Sequence, residues 1–82
     1  MTREEVVRAI TEFLADELDK SSDAISESSR FREDLEADSL DLYTLVQELE
    51  DSYGVRMTDE QAASITTVGE AVDLALAQLA GS

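Results

Sequence analysis

Asp38-Ser39-Leu40-Asp41-Leu42-Tyr43-Thr44-Leu45-Val46-Gln47-Glu48-Leu49-Glu50-Asp51-Ser52-Tyr53-Gly54 is the stretch that decides the fold. Leu42, Leu45, Val46, Leu49 and Tyr53 recur at intervals of three and four, which places them on one face of a helix. Asp38 with Asp41 makes a loose version of a capping box, in which side chains at the first and fourth positions satisfy each other's backbone N–H. Gly54 is a good residue for the left-handed stop that ends a helix. The spacing predicts a helix over 39–53, apolar on one side and acidic on the other.

Three more segments follow the same pattern on either side. Thr2 with Glu5 opens a helix expected from Arg3 to Asp19, with Val6, Val7, Ile10, Phe13, Leu14 and Leu18 as its stripe. Thr58 with Gln61 opens a short third helix over 59–64. Thr67 with Glu70 opens a fourth over 68–80, with Val68, Ala71, Val72, Ala75, Leu76 and Leu79 turned inward. Between Lys20 and Ala37 lies a long polar stretch whose apolar residues, Ile25, Phe31 and Leu35, read as anchors onto the rest. No β-alternation is sustained. The expected architecture is all-α: a four-helix bundle of three longer helices and a short third, with a long loop between helices one and two.

Composition narrows the function. The 82 residues suit one small domain spanning 1–82. There is no Cys and no His, which removes thiolate metal sites, cysteine nucleophiles and the usual general base. Six basic residues face twenty acidic ones, a net charge of −14. Direct nucleic-acid binding is disfavoured, because it depends on Lys and Arg neutralising phosphates. The expected partners carry basic patches. No apolar run nears the about 20 residues of a membrane span, and the polar start does not read as a signal peptide, so a cytoplasmic monomer is expected. At 43% hydrophobic and periodic, the chain is not read as disordered.

Ser39 is the candidate for chemistry. It stands at the first position of helix two, directly after the long loop, where a hydroxyl is exposed. Helix N-termini favour anions through free N–H groups and the dipole, so a phosphodiester on Ser39 would gain from that place, while Asp38 and Asp41 would repel it. Ser39 as a simple capping serine is the plain alternative. As a hydrolase nucleophile it lacks both a His and a Gly-x-Ser-x-Gly elbow. Asp34, Glu36 and Asp38 alternate like an EF-hand loop, but Ser39 and Leu45 stand where that loop needs Gly and Glu, so no metal site is assigned.

The segment Phe31–Leu40, above all Asp38-Ser39-Leu40-Asp41, together with Leu49-Glu50-Asp51, Tyr53 and Ile65-Thr66-Thr67-Val68-Gly69-Glu70-Ala71-Val72, resembles the acyl carrier protein family over nearly the whole chain. The resemblance implies that Ser39 bears a 4′-phosphopantetheine arm, donated by coenzyme A through a separate phosphopantetheinyl transferase. It implies a carrier that is not itself an enzyme, passing acyl thioesters between enzymes of fatty acid biosynthesis. Asp38, Leu40, Asp41, Glu48 and Asp51 would meet basic patches on those enzymes; from Glu33 to Val55 there are eight acids and no base. Phe31, Val46, Leu49, Met57, Ala62, Ile65, Ala71 and Ala75 would line an acyl pocket, with the small residues leaving room.

Three positions depart from the family's usual pattern. Glu36 stands where Gly is frequent, which strains the loop if that position needs a positive φ. Thr44 and Gln47 replace an acid and a Met or similar on the docking helix, which keeps open a polyketide or other specialised pathway. An unmodified acidic interaction module fits the charge but gives no reason for Asp-Ser-Leu-Asp at a helix start.

A chain at −14 repels itself when compact. Raising ionic strength from 0.01 M to 0.1 M shortens the screening length from about 30 Å to about 10 Å. The melting temperature is therefore expected to rise along a salt series and with added divalent cations; a flat series would contradict this.

Overall fold

A computed structural model describes residues 2–80. Met1, Gly81 and Ser82, the ends of the expected 1–82 unit, lie outside the described residues. The element order is α1 (Arg3–Glu17), a 3-10 turn (Ser22–Ala24), α2 (Ser39–Tyr53), α3 (Asp59–Ser64) and α4 (Val68–Ala80). The bundle is all-helical, as expected, and helices two, three and four keep their predicted bounds. Among the described residues no helix is long and apolar enough to cross a membrane.

The helix starts fall where expected because the N-caps are written in the sequence. Glu5 N donates to Thr2 Oγ1 at 3.2 Å while Thr2 N donates to Glu5 Oε1 at 3.1 Å. The same reciprocal pair joins Thr58 and Gln61. At α4, Glu70 N donates to Thr67 Oγ1 at 3.2 Å. Each arrangement satisfies N–H groups that a helix start leaves without a partner.

Helix α1 stops at Glu17, two residues before the expected Asp19. Asp19 is left-handed (φ 55°), and Lys20 N donates back to Ala15 O at 2.9 Å. That six-to-one closure ends the helix. Asp fills the left-handed position that Gly usually holds, so the stop carries no glycine signal. Tyr53 is a second correction: placed in the buried stripe of α2, it is 36% exposed. It lies in the last turn before Gly54, at the rim of the core, where an aromatic ring can pack while its hydroxyl meets water.

α1 packs chiefly on α4, with α2 alongside and α3 against α2. Val6, Ile10 and Leu14 meet Val68, Ala71, Val72 and Ala75 in the core, joined by Leu42, Leu45 and Leu49. Val7, Phe13, Leu18, Leu76 and Leu79 are half-buried at its edge.

The long loop is pinned by burial. Ile25, Phe31 and Leu35 all enter the core, and so does Ala37. Its backbone also pairs with the approach to α4: Phe31 N donates to Thr66 O (2.9 Å), Val68 N to Ser29 O (3.0 Å) and Gly69 N to Glu27 O (2.8 Å). At Gly69 a Cβ would stand 3.1 Å from Glu27 O, closer than side chains ordinarily tolerate. Arg3 adds an exposed clamp to Glu27 and to Asp73, at 2.7 Å from the latter. Magnitudes rank these contributions. Removing a buried Phe ring costs about 3–5 kcal/mol, whereas an exposed ion pair contributes about 0–1. Phe31, 1% exposed, holds the loop more than Arg3 does.

Glu36 occupies the left-handed region (φ 57°), as does Gly54 (φ 72°). A side chain there costs roughly 1–2 kcal/mol, and glycine's extra freedom when unfolded takes back about 0.4–1. Glu36→Gly should therefore raise stability and Gly54→Ala should lower it, each by up to about 1.6 kcal/mol. Urea unfolding checks both, and the same sign for the two substitutions would contradict the backbone account.

Candidate functional site

The loop delivers the start of α2 through a compact turn. Asp34 N and Leu35 N both donate to Arg30 O (2.9 and 3.1 Å), and Ala37 N donates to Phe31 O (2.7 Å). The Asp34 carboxylate accepts from Arg30 N at 2.8 Å. With Phe31, Leu35 and Ala37 buried, the residues between them face water, and Asp38 emerges in extended backbone (φ −101°, ψ −175°) as the N-cap of α2.

Capping is done by the two acids. Asp41 N donates to Asp38 Oδ1 and Asp38 N to Asp41 Oδ2, both at 3.1 Å. Ser39 stands one residue further on, exposed, and is released from the capping role that serine commonly fills at a helix start. Among the described residues its hydroxyl has one hydrogen-bond partner: Arg32 Nη2 donates to Ser39 Oγ at 3.3 Å.

A cleft of about 320 Å³ opens beside Ser39. Phe31, Leu42, Ala62 and Ile65 give it apolar walls, and Arg30, Arg32, Glu33, Tyr43 and Thr66 stand along its polar parts. Its size is at the lower end for small-molecule sites. Of the residues expected to line an acyl pocket, Phe31, Ala62 and Ile65 are gathered here. Leu49 and Ala75 border a separate gap, too tight for a water molecule, with Val6, Tyr53, Val55 and Leu79. Ala71 lies wholly within the core. Val46 and Met57 are half-buried and border neither space.

The expected docking residues lie along the exposed side of α2. Leu40 is 73% exposed, an apolar side chain presented to water beside Ser39, with Tyr43 also exposed. Asp38 and Asp51 are exposed, and Asp41 and Glu48 half-buried. Glu48 accepts from Ser52 Oγ at 2.7 Å. Thr44 turns onto its own helix, donating from Oγ1 to Leu40 O at 2.8 Å, while Gln47 is exposed.

Sequence reading missed Arg32. Arg32 stands one residue before the acid-only stretch from Glu33 to Val55, and only the turn brings it to Ser39. Arg30 is occupied by Glu33 and Asp34, so Arg32 is the cation of this turn that faces the serine. Asp34 is held below its ordinary pKa, first by the Arg30 N–H and then by the Arg30 side chain. Glu70 is lowered by the Thr66 hydroxyl foremost, and then by Thr67.

A helical bundle that offers a serine hydroxyl not needed for capping, with a cation beside it and an apolar cleft behind it, suits a covalently attached phosphate ester. Residues 8–75 match the family described as the phosphopantetheine attachment site. The chain is 51% identical over 73 residues to an acyl carrier protein of Rubrobacter xylanophilus, covering 89% of this chain and 90% of that one. It is 40% identical over 72 residues to an acyl carrier protein of Lactobacillus acidophilus, covering 88% and 90%. Two solved structures share the fold. One is the acyl carrier protein of Enterococcus faecalis (TM-score 0.80, 37% identity, 95% of this chain and 99% of that one). The other is that of Thermotoga maritima (TM-score 0.85, 27% identity, 99% and 94%). The fold and the match define a phosphopantetheine-bearing carrier domain. The chain belongs to the acyl carrier protein family, whose members hold that group covalently.

The Asp34 carboxylate reports on the turn that sets Ser39. Its depressed pKa means that its stabilising contribution is complete above the ordinary carboxylate range and is lost as pH falls through the lowered value. Because the backbone N–H is the leading cause, Arg30→Ala should raise the Asp34 midpoint only part of the way. NMR titration of the Asp34 carboxyl checks this; full return to the ordinary value would show that the side chain dominates instead.

Proposed function

We propose that this chain carries acyl intermediates as thioesters on a 4′-phosphopantetheine arm joined to Ser39, and passes them between enzymes of fatty acid biosynthesis. The single observation behind the choice of residue is that Asp38, not Ser39, caps α2, which leaves an exposed hydroxyl free for modification. When attached, the arm supplies a flexible reach and a terminal thiol. The protein supplies the rest. Ser39 fixes the tether at the start of a rigid helix, and the cleft walled by Phe31, Ala62 and Ile65 offers apolar shelter next to it.

Recognition then rests on α2. Leu40 gives an apolar contact beside the tether, and Asp38, Asp41, Glu48 and Asp51 offer negative charge to Lys and Arg on the transferase and synthase enzymes. Surface charges of this kind speed encounter more than they tighten binding, which suits a shuttle that must leave each partner quickly. Thr44, turned onto Leu40 O, adds no charge to this face. That supports a second reading, service in a polyketide or other specialised pathway, which the acyl group on isolated protein would separate from the first.

Incubation with coenzyme A and a broad phosphopantetheinyl transferase should raise the intact mass by one phosphopantetheine unit, and Ser39→Ala should abolish the gain. No gain with several transferases would leave the acidic interaction module as the better account.

A further inference from the structure

Arg32 is placed for more than contact with a hydroxyl. Its guanidinium reaches Ser39 Oγ from the loop side of α2, at 3.3 Å. Its sequence neighbours Glu33 and Asp34 are both engaged by Arg30, and among the described residues Arg32 forms no ion pair. Asp38 and Asp41, one residue before Ser39 and two after it, hold their carboxylates fixed by capping bonds. Glu33 also borders the cleft, but it is paired with Arg30, so an ester phosphate at Ser39 would have the Asp38 and Asp41 carboxylates near it and Arg32 as the cation without an ion pair. The acids cannot swing away without giving up the cap.

Resting on the reading of Ser39 as the attachment residue, we infer that Arg32 is the positioning residue for the phosphodiester of the loaded protein. The guanidinium exchanges its hydrogen bond to Oγ for charge-assisted bonds to phosphate oxygens, for which its planar fork is well matched. It offsets the repulsion from Asp38 and Asp41 and holds the first segment of the arm toward the cleft, whose wall Arg32 shares with Phe31 and Ala62. The same cation keeps the unloaded hydroxyl in place through its present hydrogen bond.

The test compares wild type, Arg32→Gln and Arg32→Lys, each unloaded and loaded, with loading verified by intact mass. The readout is the change in melting temperature on loading at low ionic strength, together with the phosphorus-31 shift of the diester. Loading should be more favourable to the wild type than to Arg32→Gln by about 2–4 °C, the scale of one exposed charge-assisted contact in a domain this small. Arg32→Lys should fall between, because it keeps the charge but not the fork, and the phosphorus resonance should move in Arg32→Gln. Arg32 is exposed, so both variants should fold. Equal loading shifts in wild type and Arg32→Gln would overturn the positioning role while leaving Ser39 as the tether. Failure of every form, wild type included, to gain mass would overturn the tether and the role of Arg32 together.

Discussion

Burial of Phe31, Leu35 and Ala37 is the constraint on which the site depends. A loop as polar as residues 20–37 has little reason to adopt one path. These three side chains give it one, and backbone bonds to Thr66, Val68 and Gly69 tie that path to the start of α4. Where the loop is held, α2 must begin, and where α2 begins, Ser39 meets solvent. Surface ion pairs such as Arg3 with Asp73 join the same parts, but at their exposure they trim the fold more than they define it.

The start of α2 divides its labour among adjacent residues. Asp38 and Asp41 satisfy the free N–H groups, and Ser39 is left with a hydroxyl that the helix does not need. Leu40 presents its side chain to solvent, with Tyr43 also exposed one turn on. Glu36 accepts a left-handed backbone one residue before Ala37 turns into the core. Local strain and exposed apolar surface thus cluster around one serine, a pattern typical of functional sites.

Most of the fold was legible in the sequence because reciprocal caps at Thr2, Thr58 and Asp38, and the Thr67 cap, mark the helix starts outright. The end of α1 was not, since Asp19 takes the left-handed place without being a glycine. Ile25, Phe31 and Leu35 could be read as anchors from their isolation among polar residues. Their partners could not, because the bridge between Arg30 and Thr67 joins residues far apart in sequence. At the site, Ser39 and Leu40 stood out by position. Arg32 did not, since its direction follows from the turn that buries Phe31. The division of the pocket residues between two spaces was equally hidden. A small side chain such as Ala71 makes room only where its neighbours leave it, and here the core fills that room.

On the proposed function, the tether is one hydroxyl, Ser39, set at the start of α2 by the buried loop. Peptide mapping by tandem mass spectrometry of the protein isolated from its own cells tests it most directly. The peptide containing Ser39 should release a pantetheine fragment, and no other peptide should. A modified residue elsewhere, or a fully unmodified Ser39 in growing cells, would contradict it.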